Sequence, residues 1–80
     1  MRLDKYLKVS RLIKRRTLAN KACDTQRISV NGKIAKASYD VKPDDVIEIT
    51  LGMRTLKVRV LDIKEHTLKN DAVLLYEVIE

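Results

Sequence analysis

The sequence predicts an α+β fold in which two N-terminal helices pack on a small, mostly antiparallel sheet. Three observations lead there. Residues 2–25 contain no Gly or Pro and carry apolar residues at helical spacing. From residue 28 onward, short runs alternate apolar and polar residues and are separated by turn chemistry. The order is helix, helix, then several strands. With 80 residues the chain is expected to be one domain, 1–80. Such a chain buries roughly 60% of the surface it exposes when unfolded. It has three Tyr and no Phe or Trp, so the core must be built from Leu, Ile, Val and Ala.

Leu3, Leu7 and Ser10, with Tyr6 beside them, mark an amphipathic helix over about 3–10. Asp4 falls in its first turn, where the helix dipole favours a carboxylate. Leu18, Ala19, Ala22 and Cys23 mark a second helix over about 16–25, and Arg11 to Arg15 should hold the turn between them. In 28-ISVNGKIA-35 the pair Asn31-Gly32 separates two short extended runs. That is a hairpin signal, because a type I′ turn needs positive φ at both central residues. The stretch 41-VKPDD-45 reads as a turn and 46-VIEIT-50 as a strand. Leu56, Val58 and Val60 alternate with Lys57 and Arg59 in a strand over 55–63. Residues 64–71 are polar and loop-like, and 73-VLLYEVIE-80 reads as a last strand, with a helix as the alternative.

The charge is distributed unevenly. Residues 1–36 hold eleven Lys/Arg against Asp4 and Asp24, a net +9. Residues 37–80 hold six against nine acids, a net −3. A one-sided basic footprint points to a polyanion, nucleic acid before an anionic membrane. The densest segment is 10-SRLIKRRTLANKA-22, with Arg11, Lys14, Arg15, Arg16 and Lys21 and no acid. Arg16 and Asn20 share one face of the second helix, while Arg11, Lys14 and Arg15 crowd its N-terminal end. That end already carries partial positive charge, so phosphate is attracted there and the cations repel one another without it. The arrangement costs stability and is better explained by binding than by folding. A solvated basic face and a membrane-surface helix are the competing readings. The second lacks Trp and Phe on an apolar face that the small core needs.

The strings 2-RLDKYL-7, 16-RTLANKA-22, 27-RISVNGKIAKAS-38 and 44-DDVIEI-49 resemble the S4 RNA-binding domain. The resemblance spans a core motif over 2–50 and leaves 51–80 as a C-terminal strand extension. Within the family, the opening resembles the small S4 proteins of bacterial ribosome-associated quality control, relatives of the heat-shock S4 proteins. The resemblance implies an S4 (αL-type) RNA-binding fold. It implies a non-catalytic protein that binds stalled large (50S) subunits carrying peptidyl-tRNA and supports alanine tailing of the nascent chain. The implied partners are 23S rRNA, peptidyl-tRNA and an RqcH-like tailing factor. The alternative is a general rRNA-binding, ribosome-assembly or heat-shock S4 protein. Carried over by position, Arg2 matches the first Arg of the family pattern, Asp4 the helix-1 Asp, and Arg16 the Arg that opens helix 2. Arg2 and Arg16 are therefore the first expected RNA contacts, since Arg can fork onto phosphate and stack on bases. Asp4 is expected to cap a helix end or orient a nearby Arg. Lys8, Arg11, Lys14, Arg15, Asn20 and Lys21 follow as phosphate contacts, and Arg27, Lys33 and Lys36 extend the surface along the hairpin. Gln26 and Asp44 stand where the family pattern has Gly, which tolerates positive φ at low cost.

Other chemistries find little support. One Cys and one His make a zinc site implausible, and no Ser-His-Asp set or Gly-rich phosphate loop occurs. Cys23 is expected to be a buried structural thiol and His66 a surface residue. Asp44, Asp45 and Glu48 read as solvated acids, and Tyr6 and Tyr76 as core or core-edge residues. Asn31-Gly32 is expected to shape its turn only. S4 domains also occur as appendages of enzymes, but the chain opens on Met and has no room for a catalytic domain. No cofactor, no metal and no membrane span are expected, and the protein is read as a cytoplasmic monomer.

Overall fold

The computed structural model describes every residue except His66, Thr67, Lys69 and Glu80, with residue 73 described by its backbone; the reading of His66 therefore lies outside the described residues. Among those described are two α-helices, α1 (Leu3–Val9) and α2 (Arg16–Asp24). Five strands follow: β1 (Ile28–Val30), β2 (Lys33–Ile34), β3 (Val46–Leu51), β4 (Arg54–Val60) and β5 (Tyr76–Val78). They form one antiparallel sheet in the order β2-β1-β3-β4-β5.

Helix α1 starts where its backbone donors find partners. The Leu3 amide donates to the Tyr39 carbonyl (2.8 Å) and the Asp4 amide to the Ala37 carbonyl (3.2 Å). The Lys5 amide donates to Asp4 Oδ1 (2.8 Å). Three of the donors that a helix start leaves unpaired are thereby used. The helix ends at Val9 with Ser10 as its C-cap, and Arg11 just beyond takes φ 62° without being Gly. Helix α2 closes in a Schellman motif: the Gln26 amide reaches the Cys23 carbonyl (3.1 Å) and the Arg27 amide the Ala22 carbonyl (3.0 Å). Gln26 itself sits at φ 61°, and Asp44 at φ 75°. Both positions without the family glycine thus keep the left-handed backbone that favours it.

Asn31 (φ 53°) and Gly32 (φ 84°) make the expected type I′ turn, with Val30 opposite Lys33. Asn31 does more than turn the chain. Its Oδ1 accepts from the Val46 amide (2.9 Å) and its Nδ2 donates to Asp45 Oδ1 (3.0 Å), tying the hairpin to the start of β3. A second two-residue hairpin, Gly52-Met53, joins β3 to β4, with Gly52 at φ 63° and Leu51 opposite Arg54.

Two strand boundaries differ from expectation. The strand read over 55–63 ends at Val60, because the amides of Leu61 and Asp62 both turn to the Leu75 carbonyl (2.8 and 3.3 Å). The last strand covers only Tyr76–Val78, and Ala72–Leu74 forms a 3-10 turn before it. The Leu75 carbonyl also accepts the Tyr6 hydroxyl at 2.7 Å, in the buried interior. Burial and the nearby Tyr76 and Asp62 push the Tyr6 pKa up.

The helices and the sheet share one core. Leu3, Tyr6 and Leu7 from α1 and Ala19 and Cys23 from α2 pack against Ile28, Ile47, Ile49, Val58 and Val60, with Leu75 closing the end. A fully buried Leu, Ile or Val contributes about 1.5–3 kcal/mol relative to exposure, so this cluster carries the fold. The opposite face of the sheet is polar and charged, with Lys57 and Glu48 3.5 Å apart and Arg59 and Glu77 2.6 Å apart across the strands.

Candidate nucleic-acid interface

The basic N-terminal half is organised around one carboxylate. Asp4 projects from the first turn of α1, and its side chain is only 4% exposed. Arg2 Nε donates to Asp4 Oδ1 at 3.1 Å and Arg2 Nη2 to Oδ2 at 3.4 Å. From α2, Asn20 Nδ2 donates to Oδ2 at 3.3 Å, and Arg16 Nε lies 3.5 Å from the same oxygen. The i, i+4 spacing of Arg16 and Asn20 puts both on the α2 face that meets α1. Burial raises the Asp4 pKa, but Arg2, Asn20, Arg16 and the Lys5 amide together outweigh it and hold the group below its ordinary value. It is an ionised carboxylate at neutral pH.

The two guanidiniums are anchored but not consumed. Arg2 is 51% exposed and Arg16 49% exposed. Arg2 spends two of its five N–H groups on Asp4 and keeps the rest for solvent or a ligand. Its backbone is fixed as well, through a bridge to Asp40. Two cations on one anion leave a net positive charge on a preorganised surface.

Beside this cluster runs a groove of about 500 Å³, walled by Arg2 and Asn20 on one side and by Lys36, Ala37 and Ser38 on the other. Gln26, the acid Asp24 and the buried Cys23 also line it. Burial, with Asp4 and Asp24 nearby, pushes the Cys23 thiol up to about 11, so it is neutral and unreactive at ordinary pH. Lys33 and Lys36 share a second hollow along the hairpin.

Of the residues singled out by sequence, Arg2, Asp4, Arg16 and Asn20 come together in space, and Lys36 borders the same groove. Lys8, Arg11, Lys14 and Arg15 are exposed on the end of α1 and the connection to α2. Arg15 occupies the N-cap of α2 and makes no side-chain capping bond. Lys21 and Arg27 do not join the cluster: they line a different hollow with Ile13, Leu18 and Leu51. Tyr39 donates its hydroxyl to Asp45 Oδ2 at 2.9 Å, and Asp45 also accepts from Asn31 and the Lys42 amide. Asp45 is thus a structural hub of the turn before β3. Among the described residues no group of three or more His, Cys, Asp or Glu could hold a metal, and no helix is long and apolar enough to cross a membrane.

Comparison with known proteins identifies the family and the fold. The S4 domain family matches residues 1–47. The chain is 56% identical over 79 residues to the RQC P-site tRNA stabilizing factor of Streptococcus pneumoniae, covering 99% of this chain and 90% of that protein. It is 51% identical over 80 residues to the protein of the same name from Bacillus subtilis, covering 100% and 93%. Among solved structures, it resembles the trimeric Heat Shock Protein 15 of Vibrio cholerae with a TM-score of 0.90 at 28% identity, over 98% of this chain and 80% of that one. The solution structure of HP1423 matches with a TM-score of 0.85 at 32% identity, over 100% and 98%.

Proposed function

This chain belongs to the S4 domain family and, within it, to the RQC P-site tRNA stabilizing factors, and from that premise we propose that it is a non-catalytic RNA-binding protein of ribosome-associated quality control. It binds stalled large ribosomal subunits that still carry peptidyl-tRNA, holds that tRNA, and so supports alanine tailing with an RqcH-like factor in the cytoplasm. The observation that carries the RNA-binding part of this reading is the pair of half-exposed guanidiniums anchored on one buried carboxylate, and the likeness to the stabilizing factors carries the quality-control part.

Arg2 and Arg16 are the principal contacts to 23S rRNA or tRNA, with Asp4 as their positioning residue and Asn20 beside them. A guanidinium already held in one orientation loses less entropy on binding phosphate than a free one, a saving of about 0.5–1.5 kcal/mol per side chain. Lys8, Arg11, Lys14 and Arg15 supply sequence-independent phosphate attraction, and Lys33 and Lys36 extend it along the hairpin. The groove beside Arg2 suits an irregular RNA surface better than a duplex, because Arg16 and Asn20 of α2 are tied to Asp4 of α1 and are not free to enter a major groove as an open recognition helix. The second reading is a general rRNA-binding, ribosome-assembly or heat-shock S4 protein, and the likeness in fold to Heat Shock Protein 15 favours it.

Co-sedimentation with purified large subunits, with and without peptidyl-tRNA at physiological salt, separates the two. Preference for the tRNA-bearing subunit supports the stabilizing role. Equal binding supports the second reading, and no binding to either rejects both.

A further inference from the structure

The side of α2 turned away from Asp4 carries the other unassigned feature of the molecule. At about 100° per residue, Leu18 lies about 200° around α2 from Arg16. Leu18 is 52% exposed and Leu51, at the end of β3, is 51% exposed. Between them is a hollow of about 360 Å³, and Leu51 is also a wall of a second one, about 520 Å³, that continues over Leu56 to Val78. Leu51, Leu56 and Val78 lie on the same sheet face as the core residues Ile49 and Val58, where the helices no longer cover it. Isolated exposed leucines are ordinary, but here Leu18, Leu51 and Leu56 line two hollows that meet at Leu51.

Its rim is cationic. Lys21 and Arg27 border the first hollow and Arg54 the second, and none of the three forms an ion pair among the described residues. That rim decides the occupant. A second copy of this chain would set like charges against each other across a self-complementary contact. RNA would satisfy the cations but not the hollow, which no aromatic ring lines and which therefore offers no stacking platform for a base. Aliphatic side chains fit the hollow, and carboxylates fit the rim.

We propose that the depression between α2 and the β3–β4 turn docks an acidic, amphipathic segment of a protein partner, leaving RNA to the opposite side of α2. The inference rests on the function proposed above only for the assembly in which it is tested. Binding of this kind uses apolar anchors in a groove with charges fixing register.

The test places a diazirine-bearing amino acid at position 18 and, separately, at position 8, in the protein assembled on tRNA-bearing large subunits with the purified tailing factor. Irradiation at position 18 should yield a protein adduct whose crosslinked peptide is aliphatic and net acidic. Arg54→Glu should reduce that adduct at least tenfold, while the RNA adduct from position 8 persists and reports a folded, bound protein. An adduct from position 18 to RNA, to a second copy or to a basic peptide overturns the proposal. So does the absence of any protein adduct while position 8 still reaches RNA. Loss of the position 8 adduct with the acidic peptide still captured would instead overturn the RNA reading and keep the docking surface. Loss of both rejects both.

Discussion

Arg59 and Glu77 face each other across β4 and β5 at 2.6 Å, one cation to one anion in water, whereas at Asp4 two guanidiniums and an amide share a single buried carboxylate. The first arrangement leaves Arg59 46% exposed, but its charge is matched by an anion that is 40% exposed beside it. The second spends one negative charge to fix two positive ones, and both arginines still face solvent. Equal residue types therefore serve different ends because of stoichiometry and burial. The net charge of +9 over residues 1–36 likewise comprises two kinds of cation, the two arginines held on Asp4 and the exposed Lys8, Arg11, Lys14 and Arg15.

Removing the shared anion should have the largest effect. Asp4→Ala leaves Arg2, Arg16 and Asn20 without their common acceptor. Loss of charged hydrogen bonds costs about 1.5–3 kcal/mol, which urea unfolding would read. Binding to large subunits should fall with it. The pH dependence has a definite sign. The Asp4 pKa is depressed in the folded protein, so its stabilisation is present above the ordinary carboxylate pKa. It is lost as pH falls through the lower folded value. Asp4→Ala should therefore flatten the acid limb of the stability profile. An unchanged stability and acid limb would mean that the cluster organises nothing.

Arg2→Ala should weaken subunit binding clearly while shifting stability much less, since Arg16 and Asn20 still hold Asp4. Arg2→Lys keeps the charge but loses the fork onto both Asp4 oxygens. Recovery should then be partial, and full recovery in a binding titration would reduce Arg2 to a point charge. A smaller effect concerns geometry alone. Gln26 holds φ 61° at the end of α2, a conformation that costs a side-chain-bearing residue about 1 kcal/mol or more. Gln26→Gly should raise the unfolding midpoint by a corresponding amount. A fall would show that the Gln26 side chain contributes more than its backbone costs. Removing Arg59 should change subunit binding least of all.

Much of this was legible in the sequence. The apolar spacing located both helices, and Asn31-Gly32 located the first hairpin, because those signals are local. The S4 resemblance singled out Arg2, Asp4 and Arg16, and left Asp4 between capping a helix end and orienting a nearby Arg. Tertiary effects were not legible. The end of β4 at Val60 depends on the Leu75 carbonyl, fifteen residues on, which draws the next two amides away from the strand. The Gly52-Met53 hairpin falls in the stretch 51–54 left unassigned between the strands expected over 46–50 and 55–63, where a single Gly is a weaker turn signal than Asn-Gly. Lys21 and Arg27 belong by sequence to the basic segment, yet the rotation of α2 and its Schellman ending turn them to another face. Charge counting cannot see that rotation.

The central claim is that the arginines held by Asp4 make the principal RNA contacts, which a paired cation on the far sheet face such as Arg59 does not. Its most direct test is a salt titration of binding to tRNA-bearing large subunits for the wild type, Arg16→Ala and Arg59→Ala side by side. Arg16→Ala should bind more weakly and lower the slope of log K against log salt by about 0.7–0.9, the signature of one lost phosphate contact. Arg59→Ala should reproduce the wild-type line. Equal losses in both variants, or none in Arg16→Ala, would contradict the account.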